Sequence, residues 1–253
     1  MRLLNFIIVI LSVIFFCVGL GMSIIPPQQF IEIGSIIAVS TISLPAFYAL
    51  WKLYRWRGIA TITALGLFAL TIESIGIHTG FPYSHFEYTM PFGYRLLGTT
   101  PWTVFIAWSP LVIGSYLIAN KLCIKKWSQF LVYIGILVSS DIVLDPGAVA
   151  RGLWQYTNGG LWFNVPLQNF AGWIFSGSLA YIIICNILRK NHSTIQLNSN
   201  SKTYSQLGTL SLLLSIFLWS GVNAGYALWL PAIIGIILGN ILLYSVIKKP
   251  LRQ

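Results

Sequence analysis

Three of the five acidic residues in this 253-residue sequence fall in stretches that are otherwise apolar. Glu73 lies near the end of the apolar run 58–78, while Asp141 and Asp145 close the run 127–144. An ionisable side chain at membrane depth costs at least ~2.5–3.5 kcal/mol on insertion scales, so its presence there indicates a function. We therefore predict that these three carboxyls belong to one functional site in a lipid-embedded pocket.

Asp141 and Asp145 are spaced so that a helix would place both on one face, about one turn apart. Two like charges so close in a low dielectric cannot both ionise cheaply, so one is expected to stay protonated while the other is a carboxylate. The pair then offers an acid and a base in one place. Because Pro146 disfavours helical geometry at the preceding residue, we expect the helix to end at Asp145. Arg151 is expected to pair with one aspartate and hold it ionised.

Glu73 lies in a second segment with polar residues, which also contains Ser74 and His78. His78 is predicted to lie on the same helix face as Ser74, and we expect it to hydrogen-bond a carboxyl of another helix. A purely structural alternative is an interhelical hydrogen bond that only fixes packing. Two aspartates, Glu73 and His78 or His85 could in principle hold a divalent ion. The sequence has no His-x-x-x-His, no Glu-x-x-His and no histidine cluster, so we predict no metal site.

Other common catalytic signatures are missing from the sequence. It contains no Walker loop, no Rossmann glycine pattern and no Gly-x-Ser-x-Gly. Cys17, Cys123 and Cys185 are scattered without paired spacing, which argues against a disulfide framework. These absences argue against a nucleotide-dependent enzyme and against a serine nucleophile.

The elements that must position the carboxyls are transmembrane helices. The chain is 57% hydrophobic and 8% charged, against roughly 25% charged in soluble domains. Apolar runs long enough to cross a bilayer are 3–25, 30–51, 58–78, 101–120, 127–144, 166–188, 207–223 and 226–247. We predict an all-α, polytopic transmembrane bundle of eight spans forming a single domain, 1–253. Run 3–25 is longer than a signal-peptide core and lacks an Ala-x-Ala site, so we keep it as the first span; its removal would leave seven.

The net charge of +10 does not indicate nucleic-acid binding, because the basic residues alternate between loops. With a cytoplasmic N-terminus, all of the 15 basic residues except Arg95 and Arg151 are cytoplasmic. They are Arg2, Lys52, Arg55, Arg57, Lys121, Lys125, Lys126, Arg189, Lys190, Lys202, Lys248, Lys249 and Arg252. This positive-inside pattern predicts a cell-membrane protein with both termini cytoplasmic, basic loops on anionic lipid and all five acids toward the outer face.

Two predicted outer connections, 79–100 and 145–165, are rich in Gly, Pro, Tyr and Trp. Such loops can close over a binding site, or their aromatic side chains can form an ordinary interfacial belt. Glu32 and Glu87 are expected to be structural and water-exposed, respectively. The stretch 191–206 is polar and is expected to be a flexible cytoplasmic loop.

Three sequence blocks carry a resemblance to a known family. The blocks Glu73 to Tyr94, Asp141 to Tyr156 (DIVLDPGAVARGLWQY) and Gly160 to Trp173 (GLWFNVPLQNFAGW) resemble the carotenoid biosynthesis membrane proteins of the CruF type. Members of that family include a γ-carotene 1′-hydroxylase and a bisanhydrobacterioruberin hydratase. The sequence departs from the family pattern at Pro82-Tyr83-Ser84 and at Asn164, which bears on substrate choice.

The resemblance implies hydration of the terminal 1,2 double bond of an acyclic (ψ) carotenoid end, without a cofactor. Our hypothesis is that Asp141 protonates the alkene and Asp145 activates the water, while Glu73 can exchange roles with either. Arg151 would order the pair, and Asn169 would hold the water or a carboxyl. The expected substrate-lining, cation-stabilising aromatic residues are Tyr83, Trp154, Trp162 and Trp173.

Three alternatives stay open from the sequence. A lycopene-type cyclase begins with the same protonation, but an internal double bond captures the cation. A proton-coupled transporter also uses intramembrane carboxyls, although the clustering of the acids on one side disfavours a relay. A non-catalytic scaffold for other carotenoid enzymes would keep its product pattern after substitution of the aspartates.

Overall fold

The computed structural model describes residues 2–25, 32–90, 92–188 and 199–247. Within these ranges the chain forms nine helices and four short strands. The helices are α1 (Arg2–Met22), α2 (Glu32–Tyr54), α3 (Trp56–Thr79), α4 (Val104–Ala107), α5 (Ser109–Leu122), α6 (Lys126–Ala150), α7 (Leu167–Leu188), α8 (Ser199–Gly225) and α9 (Trp229–Ile247). The strands are β1 (Phe86–Tyr88), β2 (Arg95–Leu96), β3 (Thr100–Pro101) and β4 (Trp154–Tyr156).

Eight helical segments are long and apolar enough to cross a membrane, with α4 and α5 together forming one of them. The prediction of an all-α bundle with eight spans is therefore confirmed. Segment 3–25 takes part in the bundle, because α1 packs along α8. Five of the basic residues predicted to be cytoplasmic, Arg189, Lys190, Lys248, Lys249 and Arg252, lie outside the described residues, as do the side chains of Arg2 and Glu32.

Helix α8 is the central element of the bundle. It packs against α1, α2, α5, α6 and α9, and most of its span is buried.

The prediction that 191–206 is entirely a loop is wrong for its second half, since α8 begins at Ser199; residues 191–198 lie outside the described part. Polar residues at the start of α8 can be buried when they find hydrogen-bond partners. The buried side-chain amide of Gln206, for example, donates to the Val246 carbonyl of α9 at 3.0 Å.

Small residues let α1 approach α8 closely. A Cβ atom on Gly19 would overlap the Leu218 carbonyl, and one on Gly221 would overlap the Phe16 carbonyl. The apolar runs 207–223 and 226–247 leave only residues 224 and 225 between them, which predicts a tight turn around Gly221 and Gly225; this is wrong, because α8 continues through Gly225. Gly221 instead permits contact between two helix backbones, a common use of small residues in membrane bundles.

Helix α6 continues through Pro146 to Ala150, so the prediction that it ends at Asp145 is wrong. A proline inside a helix leaves the carbonyl four residues earlier without its N–H donor. Here the Trp162 indole N–H donates to the Ile142 carbonyl at 3.0 Å. The Asn223 side-chain amide, from α8, donates to the next carbonyl, Val143, at 2.7 Å. The Trp162 indole thus replaces the N–H donor that proline lacks, while Asn223 attaches α8 to α6 one residue further along.

The two aromatic-rich connections are joined by strand pairing that the sequence did not predict. Strand β1, from connection 79–100, pairs antiparallel with β4, from connection 145–165. The register places Phe86 opposite Tyr156 and Tyr88 opposite Trp154. Strands β2 and β3 form a second two-stranded sheet in the first connection. We call the end of the bundle that carries these strands the strand end.

Candidate active site

A cavity of about 200 Å³ lies at the strand end, between the halves of the helices that lie nearest the strands. We call it the carboxyl cavity. Among the described lining residues, nine are aromatic: Tyr83, Phe86, Tyr88, Phe92, Trp108, Trp154, Tyr156, Trp173 and Trp219. Its charged lining residues are Glu73, Asp145 and Arg151. An apolar, aromatic wall with a few convergent polar groups is the usual composition of a small-molecule site.

Two of the three predicted carboxyls share this cavity. Glu73 reaches it from the last two turns of α3, and Asp145 reaches it from α6. Asp141 is fully buried, with 0% of its surface exposed, and does not belong to the cavity lining. The structure therefore brings Glu73 and Asp145 to one space and places Asp141 behind it, one helical turn deeper along α6.

Asn169 links the two aspartates. Its side-chain amide donates to Asp141 Oδ2 at 2.8 Å and to Asp145 Oδ2 at 2.6 Å. One amide nitrogen carries two hydrogens, so both bonds can form at once. Asn169 comes from the first turn of α7 and is itself buried. The predicted contact between Asn169 and a carboxyl is thus present, while water positioning by this residue stays a prediction.

The paired strands supply a tyrosine to each cavity carboxyl. The Tyr156 hydroxyl of β4 donates to Asp145 Oδ2 at 2.7 Å, and the Tyr88 hydroxyl of β1 donates to Glu73 Oε2 at 3.2 Å. Burial raises the pKa of both phenols well above the usual value, and the neighbouring carboxyls raise it further. Both tyrosines therefore stay protonated and remain hydrogen-bond donors at ordinary pH.

Sequence reasoning did not single out Tyr88 or Tyr156. The signal was available as a period-two pattern, Phe86-Glu87-Tyr88 and Trp154-Gln155-Tyr156, in which aromatic residues flank one polar residue. In a strand this alternation places the aromatic side chains on one face and the polar residue on the other. The structure agrees, because Glu87 is exposed and accepts a hydrogen bond from Gln155 on the opposite face.

Three of the four predicted aromatic lining residues reach the cavity. Tyr83, Trp154 and Trp173 line it, whereas Trp162 does not and is hydrogen-bonded to α6 as described above. Trp108, which sequence reasoning did not select, stacks on Trp173 with ring centroids 5.3 Å apart. The two stacked indoles form one wall of the cavity.

Two further predicted residues have partners other than the carboxyls. His78 is exposed on α3, and its Nδ1 hydrogen-bonds the Ser74 carbonyl of its own helix at 2.7 Å. Arg151 is buried in the cavity wall, where its guanidinium donates to the backbone carbonyls of Met22 and Ile25 at the end of α1. Arg151 therefore ties α1 to the strand end, and its predicted role beside an aspartate stays a prediction.

Among the residues that the structure describes, no group of three or more His, Cys, Asp and Glu side chains is arranged to hold a metal ion. The candidate site consists of carboxyl, amide, phenol and indole groups. Such groups can donate and accept protons, hold a water molecule and surround a cation with aromatic faces.

Comparison with known proteins agrees with the motifs. Residues 31–242 match the family described as carotenoid biosynthesis protein. A curated relative, the bisanhydrobacterioruberin hydratase of Haloarcula japonica, is 31% identical over 206 residues, which cover 80% of this chain and 68% of the relative. No solved structure matches the chain significantly. The resemblance predicted from the sequence blocks is thereby confirmed, and this integral membrane protein belongs to the carotenoid biosynthesis protein family.

Proposed function

We propose that this protein is a carotenoid hydratase that adds water to the terminal 1,2 double bond of an acyclic (ψ) carotenoid end and forms a tertiary alcohol. The observation that carries the proposal is the shared position of Glu73 and Asp145 in one cavity with nine aromatic side chains. The name of the Haloarcula relative, a hydratase, supports the same reaction class. Alkene hydration needs an acid, a stabilised cation and an activated water, and the cavity offers groups for each.

Glu73 is our candidate for the proton donor. It lines the cavity and accepts one long hydrogen bond, from Tyr88 at 3.2 Å. The sequence favoured Asp141 for this role, with Glu73 able to take it over; because Asp141 lies outside the cavity lining, we transfer the role to Glu73. In the first step a carboxyl O–H bond breaks, a C–H bond forms at C2 and positive charge develops at C1. The Tyr88 hydroxyl would stabilise the resulting carboxylate.

The cation at C1 would be stabilised by aromatic faces. Trp173, Trp108 and Tyr83 line the cavity as a connected group, because Trp108 stacks on Trp173 and the Tyr83 ring lies 6.3 Å from the Trp173 ring. Each aromatic face contributes roughly 0.5–2 kcal/mol toward a cation, with the larger values in dry sites. Two or three such faces would lower the barrier to protonation substantially.

Asp145 is our candidate for the base that activates water. Its Oδ2 accepts two short hydrogen bonds, from Tyr156 at 2.7 Å and Asn169 at 2.6 Å. Hydrogen bonds to a carboxylate favour its ionised form. In the second step the water oxygen bonds to C1 while one water proton passes to Asp145, and a proton must return to Glu73 before the next turnover. The sum is one water added with no electron transferred, so no redox cofactor is required.

Pigment analysis tests the reaction. Expression in a host that makes lycopene or γ-carotene should give a pigment heavier by one water for each hydrated end, and heavy-oxygen water should label the new hydroxyl. A product of unchanged mass but altered spectrum would indicate a cyclase instead. An unchanged pigment profile rejects hydration of these substrates, and label taken from molecular oxygen contradicts the hydratase mechanism.

Carboxamide variants test the assignment of the proton donor. Glu73→Gln should abolish turnover, whereas Asp141→Asn should retain measurable turnover, since Asp141 does not line the cavity. Both variants must be present in the membrane at wild-type amounts for the comparison to count. Full activity of Glu73→Gln together with an inactive Asp141→Asn would return the proton donor to Asp141.

We also propose that both termini are cytoplasmic and that the carboxyl cavity faces the outer side of the cell membrane. The support is the charge distribution, because Lys52, Arg55, Arg57, Lys125 and Lys126 lie at helix junctions opposite the strand end. Positive residues near helix ends favour the cytoplasmic side. Cysteine labelling from outside, at Ser84 but not at Ser128, tests the orientation.

A further inference from the structure

The carboxyl cavity has an opening that is marked by two small side chains. Among the described residues that line it, only Ala38 and Ala107 are exposed, while all the others are buried or half-buried. Ala38 lies in the first half of α2, and Ala107 is the last residue of α4. The cavity is only partly enclosed, and these two exposed alanines are where its described wall meets the surface of the protein. A methyl side chain obstructs an opening less than any other side chain except that of glycine.

The opening lies within the part of the chain that crosses the membrane. Ala38 belongs to the span Ile33–Tyr54, and Ala107 belongs to the span Val104–Leu122. An exposed residue within a membrane-spanning helix contacts the hydrocarbon of the bilayer, so we expect the opening beside Ala38 and Ala107 to face lipid. Along α2 the lining continues from Ala38 through Val39 and Ile42 to Ser43, so the wall beside the opening is mostly apolar.

The size of the cavity limits what it can enclose. A volume of about 200 Å³ is below the ~300–1,000 Å³ of pockets that bury a whole drug-sized ligand. A carotenoid is longer than such a ligand, so only one end of it can occupy the cavity. The remainder of the polyene must then extend through an opening that tolerates an apolar rod.

We propose that the substrate reaches the carboxyl cavity sideways from the bilayer, between Ala38 of α2 and Ala107 of α4. One end of the polyene lies at Glu73 and Asp145, and the rest of the chain stays in the opening and the lipid. This proposal rests on the proposed function for the identity of the substrate. It goes further by naming the route and the two residues that set the width of the opening.

Bulky substitutions at the opening test the proposal. Ala38→Trp and Ala107→Trp should narrow the opening, and Ala38→Leu is a milder variant if tryptophan prevents folding. Ile37→Trp is the matched control, because Ile37 is the neighbouring residue on α2, is 59% exposed and does not line the cavity. Each variant is assayed in membranes with a full-length acyclic carotenoid and with a short acyclic isoprenoid that carries the same end group.

The measured quantity is the rate on the full-length substrate divided by the rate on the short one. Narrowing the opening should lower this ratio about tenfold or more in the Ala38 and Ala107 variants and leave it unchanged in Ile37→Trp. A ratio equal to that of the wild type, whether or not both rates fall, overturns the proposed route. A wild-type protein that hydrates neither substrate instead rejects the proposed function.

Discussion

At the scale of single residues, Asp145 has the most hydrogen-bonded carboxyl of the three. Two donors from different parts of the chain, Tyr156 of β4 and Asn169 of α7, meet at one oxygen of Asp145. Asp141 receives only the Asn169 amide, and its Oδ1 is buried without a hydrogen-bond partner among the described residues. Neighbouring positions on one helix face therefore have different surroundings, and the difference arises from contacts distant in sequence.

Asp145→Asn should lower turnover by about 10²–10⁴-fold, because the amide keeps the size of the side chain but cannot accept the water proton. Product formation per amount of membrane-inserted protein is the measurement. Glu87→Gln is the matched control, since Glu87 is exposed and points away from the cavity on β1. Wild-type turnover by Asp145→Asn would remove this carboxylate from the mechanism and favour a non-catalytic scaffold.

The buried tyrosines should make stability fall at alkaline pH. Burial raises the pKa of Tyr83, Tyr88 and Tyr156 well above the usual value. The unfolded chain ionises its phenols near pH ~10, whereas the folded state keeps these protons, so their stabilising effect is complete below about pH 10 and is lost as the pH rises further. Above that pH, the thermal midpoint of the wild type should drop more steeply than that of Tyr156→Phe. Parallel curves for the two proteins would contradict the prediction.

At the scale of elements, α6 shows how a proline can lie inside a helix that positions two aspartates. Where Pro146 interrupts the backbone hydrogen bonds, the Trp162 indole donates to the Ile142 carbonyl, and the Asn223 amide donates to the next carbonyl, Val143. From the sequence, Pro146 was expected to end the helix, because proline removes one backbone N–H donor. That expectation holds only where no other group donates to the carbonyl that is left without a partner. Trp162 was predicted to line the substrate site and stabilise a cation, but the structure shows its indole N–H bound to the backbone carbonyl of Ile142.

Trp162→Phe should destabilise the protein by about 0.5–1.5 kcal/mol, because the half-buried Ile142 carbonyl, which Pro146 cannot serve, loses its hydrogen-bond donor. Thermal unfolding in detergent measures the change. Trp127→Phe is a matched control in α6 itself, where the indole is 69% exposed. An unchanged midpoint for Trp162→Phe would mean that the bond to Ile142 contributes nothing to helix continuity.

The α1–α8 contact predicts a contrast between two glycines of α1. Gly19→Ala should destabilise the bundle by about 1–3 kcal/mol, because its new methyl group would overlap the Leu218 carbonyl. Gly21→Ala, two residues away, meets nothing within 4 Å and should be neutral or slightly stabilising. Thermal midpoints of the two variants give the measurement. Equal effects would contradict the close approach of the two helices.

At the scale of the whole molecule, a cavity that holds one end of a long substrate requires each end to react separately. A symmetric acyclic carotenoid must leave, turn around and bind again before its second end can be hydrated. We expect the singly hydrated pigment to appear first and to be released, with the doubly hydrated product following after a lag. A time course of pigment masses measures this. Direct appearance of the doubly hydrated product, with no free intermediate, would contradict one-ended binding.

Much of the architecture was predictable from the sequence, because the hydrocarbon core of a bilayer requires every single helix to be long and apolar. A span must be about 20 residues long and apolar whatever surrounds it, so eight runs of the right length predicted eight spans. The same reasoning identified Glu73, Asp141 and Asp145 as exceptional, since a carboxyl in an apolar run is costly wherever the run packs. The family motifs surround these residues and could be recognised from the sequence alone.

The sequence did not determine which carboxyls line the same cavity. That depends on contacts between segments that are far apart in the chain. The β1–β4 pairing joins two connections in which the facing residues Glu87 and Gln155 are 68 positions apart. It brings the Tyr88 and Tyr156 hydroxyls to Glu73 and Asp145. Hydrogen-bond partners and cavity walls depend on how helices pack, and packing is a property of several segments at once. The opening beside Ala38 follows from the same cause, because an alanine in a helix is exposed or covered according to its neighbours in space.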